Sequence, residues 1–422
     1  MGRDQTLVVV GAGLAGIRAC ESARRASHEG PIVLVGDEPH LPYDRPPLSK
    51  AMLVAPDDAQ VDVQLRPASV LEDELGVRVL TSTTALALDT ERRNLHTTGG
   101  DLGYDELIIA SGATARRLPE DRKYSGILAL RTLDDARRVR KALSNRARVV
   151  VIGAGFIGSE IASAARKLGA AVTIVESAPA PLIRSLGTQI GALCADLHRD
   201  HGTDLRLDTT ITAIHPRDDA EPDADGRYPV GAVELSDGTT LHADVVVAGI
   251  GASPSTAWLK NSGVQLHHRD GGVMCDEHLA AVDETGAAIA HVWAAGDVAH
   301  WPNPLFDRTM RLEHWTSAAD QGALAARNAL AAPEDRRPYS TVPYFWSDWY
   351  ETRIQFVGVP QAEEVLVQHR RDERGGTVAL YRAGQRLIGV LTIGRPDLIM
   401  KYRRLVAGSA TFQEGVDFGA AS

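Results

Sequence analysis

Two segments of the chain repeat one design, and this repeat restricts the fold more than any other feature of the sequence. Each segment reads as an apolar strand, a Gly-x-Gly-x-x-Gly turn, a helix and a second strand that leads into an acidic residue. The glycine turns occupy residues 11–16 and 153–158, and the acidic residues are Asp37 and Glu176. Continuous β-branched runs are typical of parallel strands that are buried on both faces. We therefore predict an α/β fold with two Rossmann-like units.

The spacing of the glycines is the one that dinucleotide binding requires. The first glycine permits a tight turn, the second lets the backbone approach a pyrophosphate, and the third allows close packing of helix and strand. The pyrophosphate then lies at the helix N-terminus, and the acidic residue binds the ribose hydroxyls. Two complete units in one chain predict two bound dinucleotides. The predicted binding residues in the turns are Gly11, Gly13, Ala15 and Gly16 in the first unit and Gly153, Gly155, Ile157 and Gly158 in the second.

The composition is that of a globular protein, and a length of 422 residues predicts two or three domains. The apolar run at 7–17 is interrupted by glycines and lacks the features of a signal peptide. It is also shorter than the roughly 20 residues that span a bilayer. The cysteines, Cys20, Cys194 and Cys275, are far apart and odd in number, which favours a reducing compartment over a disulfide framework. We expect a cytoplasmic protein that makes no contact with a membrane.

The charge balance argues against nucleic acid as a partner. The chain has 45 basic and 55 acidic residues, a formal net charge of −10. Nucleic-acid binding relies on a basic surface that neutralises phosphates.

No metal site is predicted. His198 and His201 lie three residues apart on a predicted helix, but no cysteine or carboxylate set completes a site, so we expect solvated surface histidines. The same interpretation applies to the pair at 267–268. The polar stretch 218–226 partly resembles a calcium loop, yet its twelfth position is Ala232, where that loop needs a glutamate. We expect a solvated hairpin turn there.

The last part of the chain follows a different pattern. From about Ala326 the sequence is dense in aromatic residues at 344–350 and then has strand-like runs at 353–357, 377–381 and 387–391. A helical stretch at 397–406 is expected to close the chain. We predict a third, smaller α+β domain.

Several further motifs, together with the two nucleotide units, resemble those of a known family. They are Pro-Tyr-Asp-Arg-Pro-Pro-Leu-Ser-Lys at 42–50, Leu-Ile-Ile-Ala-Ser-Gly-Ala at 107–113, Val-Val-Val-Ala-Gly-Ile-Gly at 245–251, Val-Trp-Ala-Ala-Gly-Asp-Val at 292–298, Arg-Leu-Glu-His-Trp at 311–315 and Val-Pro-Tyr-Phe-Trp-Ser-Asp at 342–348. The family is that of the FAD-dependent ferredoxin reductases of bacterial oxygenase systems, which includes putidaredoxin reductase and biphenyl dioxygenase ferredoxin reductase. The resemblance extends from about residue 6 to about residue 405. Two departures are Ser111, where the family more often has Thr, and Trp349, where Gln is commoner.

The resemblance implies a domain plan and an activity. Residues 1–115 and 250–326 would form an FAD-binding domain, 116–249 an inserted NADH-binding domain, and 327–422 the C-terminal α+β domain. The implied enzyme is a ferredoxin–NAD(+) reductase. It would take hydride from NADH onto FAD and pass single electrons to a [2Fe–2S] ferredoxin that serves a monooxygenase or dioxygenase.

Residue roles follow from the same resemblance. Lys50 would lie near flavin N5 and pair with Glu160, since a buried ammonium without a partner is costly. The other residues assigned to FAD are Asp37, Arg45, Ala85, Arg131, Asp297 and Trp315, and those assigned to NADH are Glu176, Arg184 and Glu313. Gly251 is also predicted to bind a cofactor. A carboxylate at Glu176 accepts from the ribose hydroxyls of NADH and repels the extra phosphate of NADPH.

The partner surface and the acceptor are less constrained by the sequence. A negatively charged chain needs a local basic patch to dock an acidic ferredoxin. Candidates are Arg66, Arg308, Arg311 and the cluster at 401–404. Aromatic residues Trp346 and Trp349 either line the electron exit or belong to the core.

Two other functions remain open at this point. One is an NADH reductase with a different acceptor, such as rubredoxin or a quinone, and the other is a non-enzymatic, NADH-sensing flavoprotein. Related disulfide reductases carry a Cys-x4-Cys pair on the helix that follows the first nucleotide unit. The corresponding residues 42–52 contain no cysteine here, which excludes dithiol chemistry.

Overall fold

A computed structural model describes residues 4–56, 59, 61–143, 146–369 and 375–421. The helices are α1 Leu14–Arg25, α2 Ala51–Val54, α3 Leu133–Leu143, α4 Phe156–Lys167, α5 Ile183–Leu186, α6 Thr188–Asp200, α7 Trp315–Leu330, α8 Pro396–Ala407 and α9 Phe412–Ala421. The strands are β1 Leu7–Val10, β2 Ile32–Val35, β3 Val77–Leu80, β4 Ala85–Asp89, β5 Asn94–Thr97, β6 Gly100–Gly103, β7 Glu106–Ile109, β8 Ala113–Ala115, β9 Tyr124–Ser125, β10 Ile127–Ala129, β11 Arg148–Ile152, β12 Ala171–Val175, β13 Asp204–Arg206, β14 Ile211–Pro216, β15 Tyr228–Leu235, β16 Thr240–His242, β17 Val245–Ala248, β18 Ala252–Pro254, β19 Val273–Met274, β20 Ala280–Val282, β21 Ala288–Ala294, β22 Ala299–Asn303, β23 Arg308–Met310, β24 Tyr344–Trp349, β25 Thr352–Gly358, β26 Glu364–His369, β27 Thr377–Ala383 and β28 Arg386–Ile393.

The chain divides into two compact units. Unit one comprises the described residues within Met1–Asp44, Val63–Thr114 and Ser253–Phe345. Unit two comprises those within Arg45–Asp62, Ala115–Ala252 and Trp346–Ser422. The assignment of FAD and NADH to particular residue ranges stays a prediction.

Unit one is built on a six-stranded sheet of order β20-β21-β7-β1-β2-β3. All neighbouring strands in this sheet are parallel except β20 and β21, which are antiparallel. Strands β1, β2 and β7 are buried along their whole length, which explains their unbroken apolar sequence. Helices α1 and α7 pack together so closely that a Cβ at Gly322 would come within 2.1 Å of Ala15 O.

Unit two contains a second parallel sheet, of order β10-β17-β11-β12-β13. An antiparallel sheet of β14, β15 and β16 lies in the chain between β13 and β17 of the parallel sheet. Residues 218–226 connect β14 to β15, so the expected hairpin connection is confirmed. Both predicted Rossmann-like sheets are therefore present.

The C-terminal part of unit two is α+β, as predicted. Its sheet has the order β24-β25-β28-β27-β26, and α8 packs on β25 and β28. The expectation that a helix at 397–406 closes the chain was wrong, because α9 follows α8. Thr411 Oγ1 accepts from Glu414 N at 3.2 Å, and Glu414 Oε2 accepts from Thr411 N at 2.7 Å. This capping box is a signal for a helix start that the sequence analysis missed.

Candidate functional site

The three glycines of the first turn are divided into two that pack closely against protein atoms and one that faces open space. Gly11 has a φ of +121°, and a Cβ there would lie 2.1 Å from Ala110 O. A Cβ at Gly16 would lie 2.0 Å from Gly11 O. At Gly13, by contrast, no atom of the described residues beyond its chain neighbours lies within 4 Å of such a Cβ. The protein itself therefore requires the first and third glycines, whereas the second faces open space at the N-terminus of α1.

The second turn, in unit two, repeats this division. Gly153 has a φ of +93°, and a Cβ there would lie 2.6 Å from Gly249 O. A Cβ at Gly158 would lie 2.1 Å from Gly153 O, but at Gly155 the nearest atom is 3.9 Å away. Ile157, at the start of α4, is 43% exposed. Both turns thus leave a cradle that fits a pyrophosphate at a helix N-terminus.

The two acidic residues follow the second strand of each unit. Asp37 is exposed two residues after the end of β2. Glu176 follows β12, and its carboxylate accepts from Ala154 N at 2.7 Å and from Ala178 N at 2.9 Å. Since Ala154 belongs to the glycine turn, the Glu176 carboxylate is held beside that turn. Arg184, on α5, is exposed.

Lys50 and Glu160 form an ion pair within unit two. Lys50 Nζ lies 2.7 Å from Glu160 Oε1, with the two side chains 23% and 4% exposed. The carboxylate also accepts hydrogen bonds from the hydroxyl groups of Ser49 and Ser347. A buried carboxylate is tolerated when its oxygens are paired in this way. The pairing expected from the resemblance is present, while the catalytic role of the two residues stays a prediction.

Arg45 and Arg131 also come together within unit two. Arg45 Nη1 donates to the main-chain O of Arg131 at 2.6 Å. The Arg131 N–H in turn donates to Asp135 Oδ2 at 3.1 Å. Two of the predicted FAD contacts therefore lie beside each other.

In unit one, the structure places Asp297 near the first glycine turn and positions two further predicted flavin residues elsewhere. A Cβ at Gly296 would lie 3.1 Å from the Cβ of Ala15, which places the adjacent Asp297 close to the start of α1. Trp315 begins α7, and its Nε1 donates to Asp44 Oδ1 at 2.7 Å. Ala85 begins β4, in a separate antiparallel sheet.

Arg311 joins two of the predicted site residues. Its Nη1 donates to the main-chain O of Asp297 and to Glu313 Oε1, both at 2.8 Å. Its Nε bonds Asp270 Oδ2 at 2.8 Å. Because the Arg311 guanidinium already donates hydrogen bonds to three acceptors, it is less suited to binding a partner protein than the sequence suggested. Arg308 is exposed, as are Lys401 and Arg404.

A cluster that the sequence analysis missed surrounds Asp270. Its carboxylate lies 3.1 Å from His267 Nδ1 and 2.9 Å from His300 Nε2. Burial favours the neutral acid, but hydrogen bonds from Gly272 N, His300 and Arg311 hold the pKa of Asp270 well below its usual range. The expectation that His267 is a solvated surface residue was wrong.

This cluster offers three possible metal ligands within 4.8 Å of one another. The imidazole rings of His267 and His300 are stacked, however, with centroids 4.3 Å apart and planes 24° from parallel. Stacked rings do not direct their nitrogens at one ion within both ring planes, and Arg311 already neutralises the carboxylate. The geometry is that of an ion-paired network.

His198 was also assigned wrongly to the surface. It is fully buried on α6, one turn after Cys194 and two turns after Ile190, which are buried as well. This spacing of four residues was the signal for a buried helix face. Burial lowers the pKa of His198 to about 4. His201, by contrast, is exposed as expected and stacks on Tyr350.

No helix among the residues that the structure describes is long and apolar enough to cross a bilayer.

Comparison with known families matches residues 5–322 to the pyridine nucleotide-disulphide oxidoreductases and residues 344–416 to the reductase C-terminal domain. The chain belongs to the pyridine nucleotide-disulphide oxidoreductase family.

Relatives within this family cover nearly the whole chain. Rhodocoxin reductase from Rhodococcus erythropolis is 34% identical over 95% of this chain and 89% of its own length. The ferredoxin–NAD(+) reductase component of the anthranilate 1,2-dioxygenase system from Burkholderia cepacia is 34% identical over 96% and 94%. The crystal structure of a covalent putidaredoxin reductase–putidaredoxin complex matches with a TM-score of 0.85 and 30% identity, over 96% of this chain and 93% of that chain. The resemblance to oxygenase ferredoxin reductases and the predicted fold class are therefore confirmed, and the chain is an oxidoreductase of the family.

Proposed function

We propose that this protein is an FAD-containing, NADH-dependent reductase that passes electrons singly to a [2Fe–2S] ferredoxin of an oxygenase system. The observation that carries the proposal is the pair of glycine turns, each with its second glycine facing open space beside a helix N-terminus. Two such cradles suit a reductase that uses two dinucleotides. The names of the relatives supply the acceptor class. The three cysteines are buried and free, which suits a reducing cytoplasm.

The FAD site is assigned to the first nucleotide unit and residues 250–326. Gly13 leaves room for the pyrophosphate, and Asp37 is available to the adenosine ribose at the end of β2. Asp297 approaches the start of α1 and is assigned to the ribityl chain. Asp44 fixes the indole of Trp315 through a hydrogen bond of 2.7 Å. When bound, FAD supplies a two-electron acceptor that can release its electrons one at a time.

NADH is assigned to residues 116–249. The Glu176 carboxylate is already oriented by two backbone N–H groups, so it can accept from ribose hydroxyls without further ordering. The same fixed negative charge disfavours a 2′-phosphate, and the next residues, Ser177 and Ala178, offer no arginine that would bind one. We therefore assign NADH rather than NADPH as the reductant.

Lys50 is assigned the electrostatic role in hydride transfer. Its ammonium group is held by Glu160 and is mostly shielded from water. A fixed positive charge in such surroundings stabilises negative charge that develops during the reaction more strongly than it would in water. Glu160 orients the ammonium group and compensates its charge while the site is at rest.

The ferredoxin is proposed to dock on a local basic patch, because the net charge of −10 repels an acidic partner overall. Arg308 in unit one is one candidate, and the exposed side chains of Lys401 and Arg404 in unit two are a separate candidate.

The test is an acceptor assay with purified, FAD-loaded protein. Cytochrome c reduction is followed with NADH or NADPH, in the presence and absence of a [2Fe–2S] ferredoxin, and Lys50→Met is the inactive control. We expect strong stimulation by ferredoxin and a clear preference for NADH. Flavin reduction by NADH without stimulation by several ferredoxins would point to another acceptor. A flavin that neither nucleotide reduces would overturn the whole proposal.

A further inference from the structure

Trp349 is linked to the Lys50–Glu160 pair through one hydroxyl group. Ser347 and Trp349 lie two residues apart at the end of β24, so their side chains share a face of the strand. Both are fully buried. The indole Nε1 of Trp349 donates to Ser347 Oγ at 2.8 Å, and Ser347 Oγ donates to Glu160 Oε1 at 2.5 Å.

The direction of these two hydrogen bonds is fixed by chemistry. An indole N–H can only donate, and an ionised carboxylate can only accept. Ser347 Oγ therefore accepts a hydrogen bond from the indole N–H of Trp349 and donates its own hydroxyl hydrogen to Glu160. If the indole donor were absent, the Ser347 oxygen would lose the partner that fixes its position, and the hydrogen bond to Glu160 would be less strictly oriented.

The indole ring is also held in place on one of its faces. The imidazole of His198 stacks on it, with centroids 4.9 Å apart and an interplanar angle of 27°. His198 Nε2 lies 3.1 Å from Ser159 Oγ and its Nδ1 lies 2.8 Å from Tyr350 OH. Tyr350 OH also lies 2.7 Å from Thr203 Oγ1. This network orders the ring before any substrate arrives.

We propose that Trp349 is a positioning residue for the Lys50–Glu160 pair and acts through the hydroxyl group of Ser347. The proposal rests on the proposed function, in which that pair supports hydride transfer. It assigns a role to the residue at which this sequence departs from the Gln that is commoner in the family. It also makes the C-terminal strand β24 a contributor to the reaction site.

The test is a double-mutant cycle on the FAD-loaded protein, built from Trp349→Phe, Ser347→Ala and the double variant. Anaerobic stopped-flow gives the limiting rate of flavin reduction and the dissociation constant of NADH. The loss of one hydrogen bond to a charged group predicts a rate about tenfold lower for Ser347→Ala. We expect a loss of about threefold to fivefold for Trp349→Phe, since only an indirect contact is removed. The double variant should match Ser347→Ala, and NADH binding should stay unchanged throughout.

A second readout is independent of turnover. In a spectrum of ¹⁵N-tryptophan-labelled protein, the indole resonance that disappears in Trp349→Phe should shift in Ser347→Ala. This readout also serves if Trp349→Phe fails to fold, because Ser347→Ala should then still move one of the indole resonances of the wild type. The matched control is Trp301→Phe. Trp301 is fully buried, and none of the residues that the structure describes accepts from its Nε1, so we expect its flavin reduction rate to stay close to that of the wild type.

Two results would overturn the proposal. The first is additivity, in which Trp349→Phe lowers the limiting rate of flavin reduction by the same factor in the Ser347→Ala background as in the wild type. The second is an indole resonance that does not move in Ser347→Ala. Failure of NADH to reduce the wild-type flavin would instead refute the proposed function, and the spectrum would still test the contact between the two side chains.

Discussion

Replacing Glu160 with Gln removes the negative charge of the buried pair while preserving the volume of the side chain. Glu160 is 4% exposed and Lys50 is 23% exposed. Removing one partner of a fully buried pair costs about 3–5 kcal/mol, because the other charge is left uncompensated. Lys50 retains some contact with water, which reduces this penalty. We therefore expect Glu160→Gln to lower the free energy of unfolding by about 2 kcal/mol.

The assay is urea unfolding of the FAD-loaded protein, followed by tryptophan fluorescence and flavin release. The matched control is Glu351→Gln, which breaks an exposed pair with Lys167 whose atoms lie 3.3 Å apart. Exposed pairs of this kind contribute about 0–1 kcal/mol, so the control should unfold nearly as the wild type does. The combined variant Lys50→Met with Glu160→Gln should recover much of the lost stability, since no unpaired charge remains. Equal unfolding midpoints for Glu160→Gln and Glu351→Gln would refute this account of the pair.

Three further predictions follow from the structure. Gly13→Ala should retain the far-ultraviolet circular dichroism of the wild type but purify without FAD, whereas Gly155→Ala should keep its FAD and raise the KM for NADH about tenfold. The reason is that each added Cβ would occupy the space left for a pyrophosphate and would not clash with protein atoms. Loss of fold in either variant would contradict this prediction. Glu176→Ala should lower the preference for NADH over NADPH about tenfold in steady-state kinetics, and an unchanged preference would remove its assigned role. Burial lowers the pKa of His198 to about 4. Between pH 6.5 and 4 the unfolded chain therefore takes up a proton that the folded protein does not. The free energy of unfolding should fall by about 2–3 kcal/mol as the pH drops through this window. Urea unfolding at several pH values should show a weaker pH dependence in His198→Gln than in the wild type, whereas the exposed-site control His201→Gln should behave as the wild type does.

The two nucleotide folds could be predicted because their determinants are local. In each unit the strand, the turn, the helix and the acidic residue occur within about 30 residues, which is typical of a βαβ unit. The first glycine of each turn is favoured by its positive φ, and the third is required by a clash with the main-chain oxygen of the first. The same rules therefore apply wherever the motif occurs.

The surroundings of the site could not be predicted, because they depend on contacts between distant segments. Ser347 donates to Glu160 across 187 positions, and His300 contacts Asp270 across 30. Neither contact leaves a periodic pattern in the sequence. His198 is different, since its spacing from Ile190 and Cys194 did place it on the buried face of α6.

Electron transfer from the reduced flavin to ferredoxin is the central claim, and a single-turnover experiment tests it most directly. The protein is reduced with one equivalent of NADH under anaerobic conditions and mixed with oxidised [2Fe–2S] ferredoxin in a stopped-flow instrument. Because NADH delivers two electrons and each ferredoxin accepts one, we predict that two ferredoxins are reduced per enzyme as the flavin is reoxidised. The rate should fall as salt is added, since docking depends on a local basic patch. A flavin that stays reduced in the presence of ferredoxin, but is reoxidised by a quinone or rubredoxin, would contradict the account.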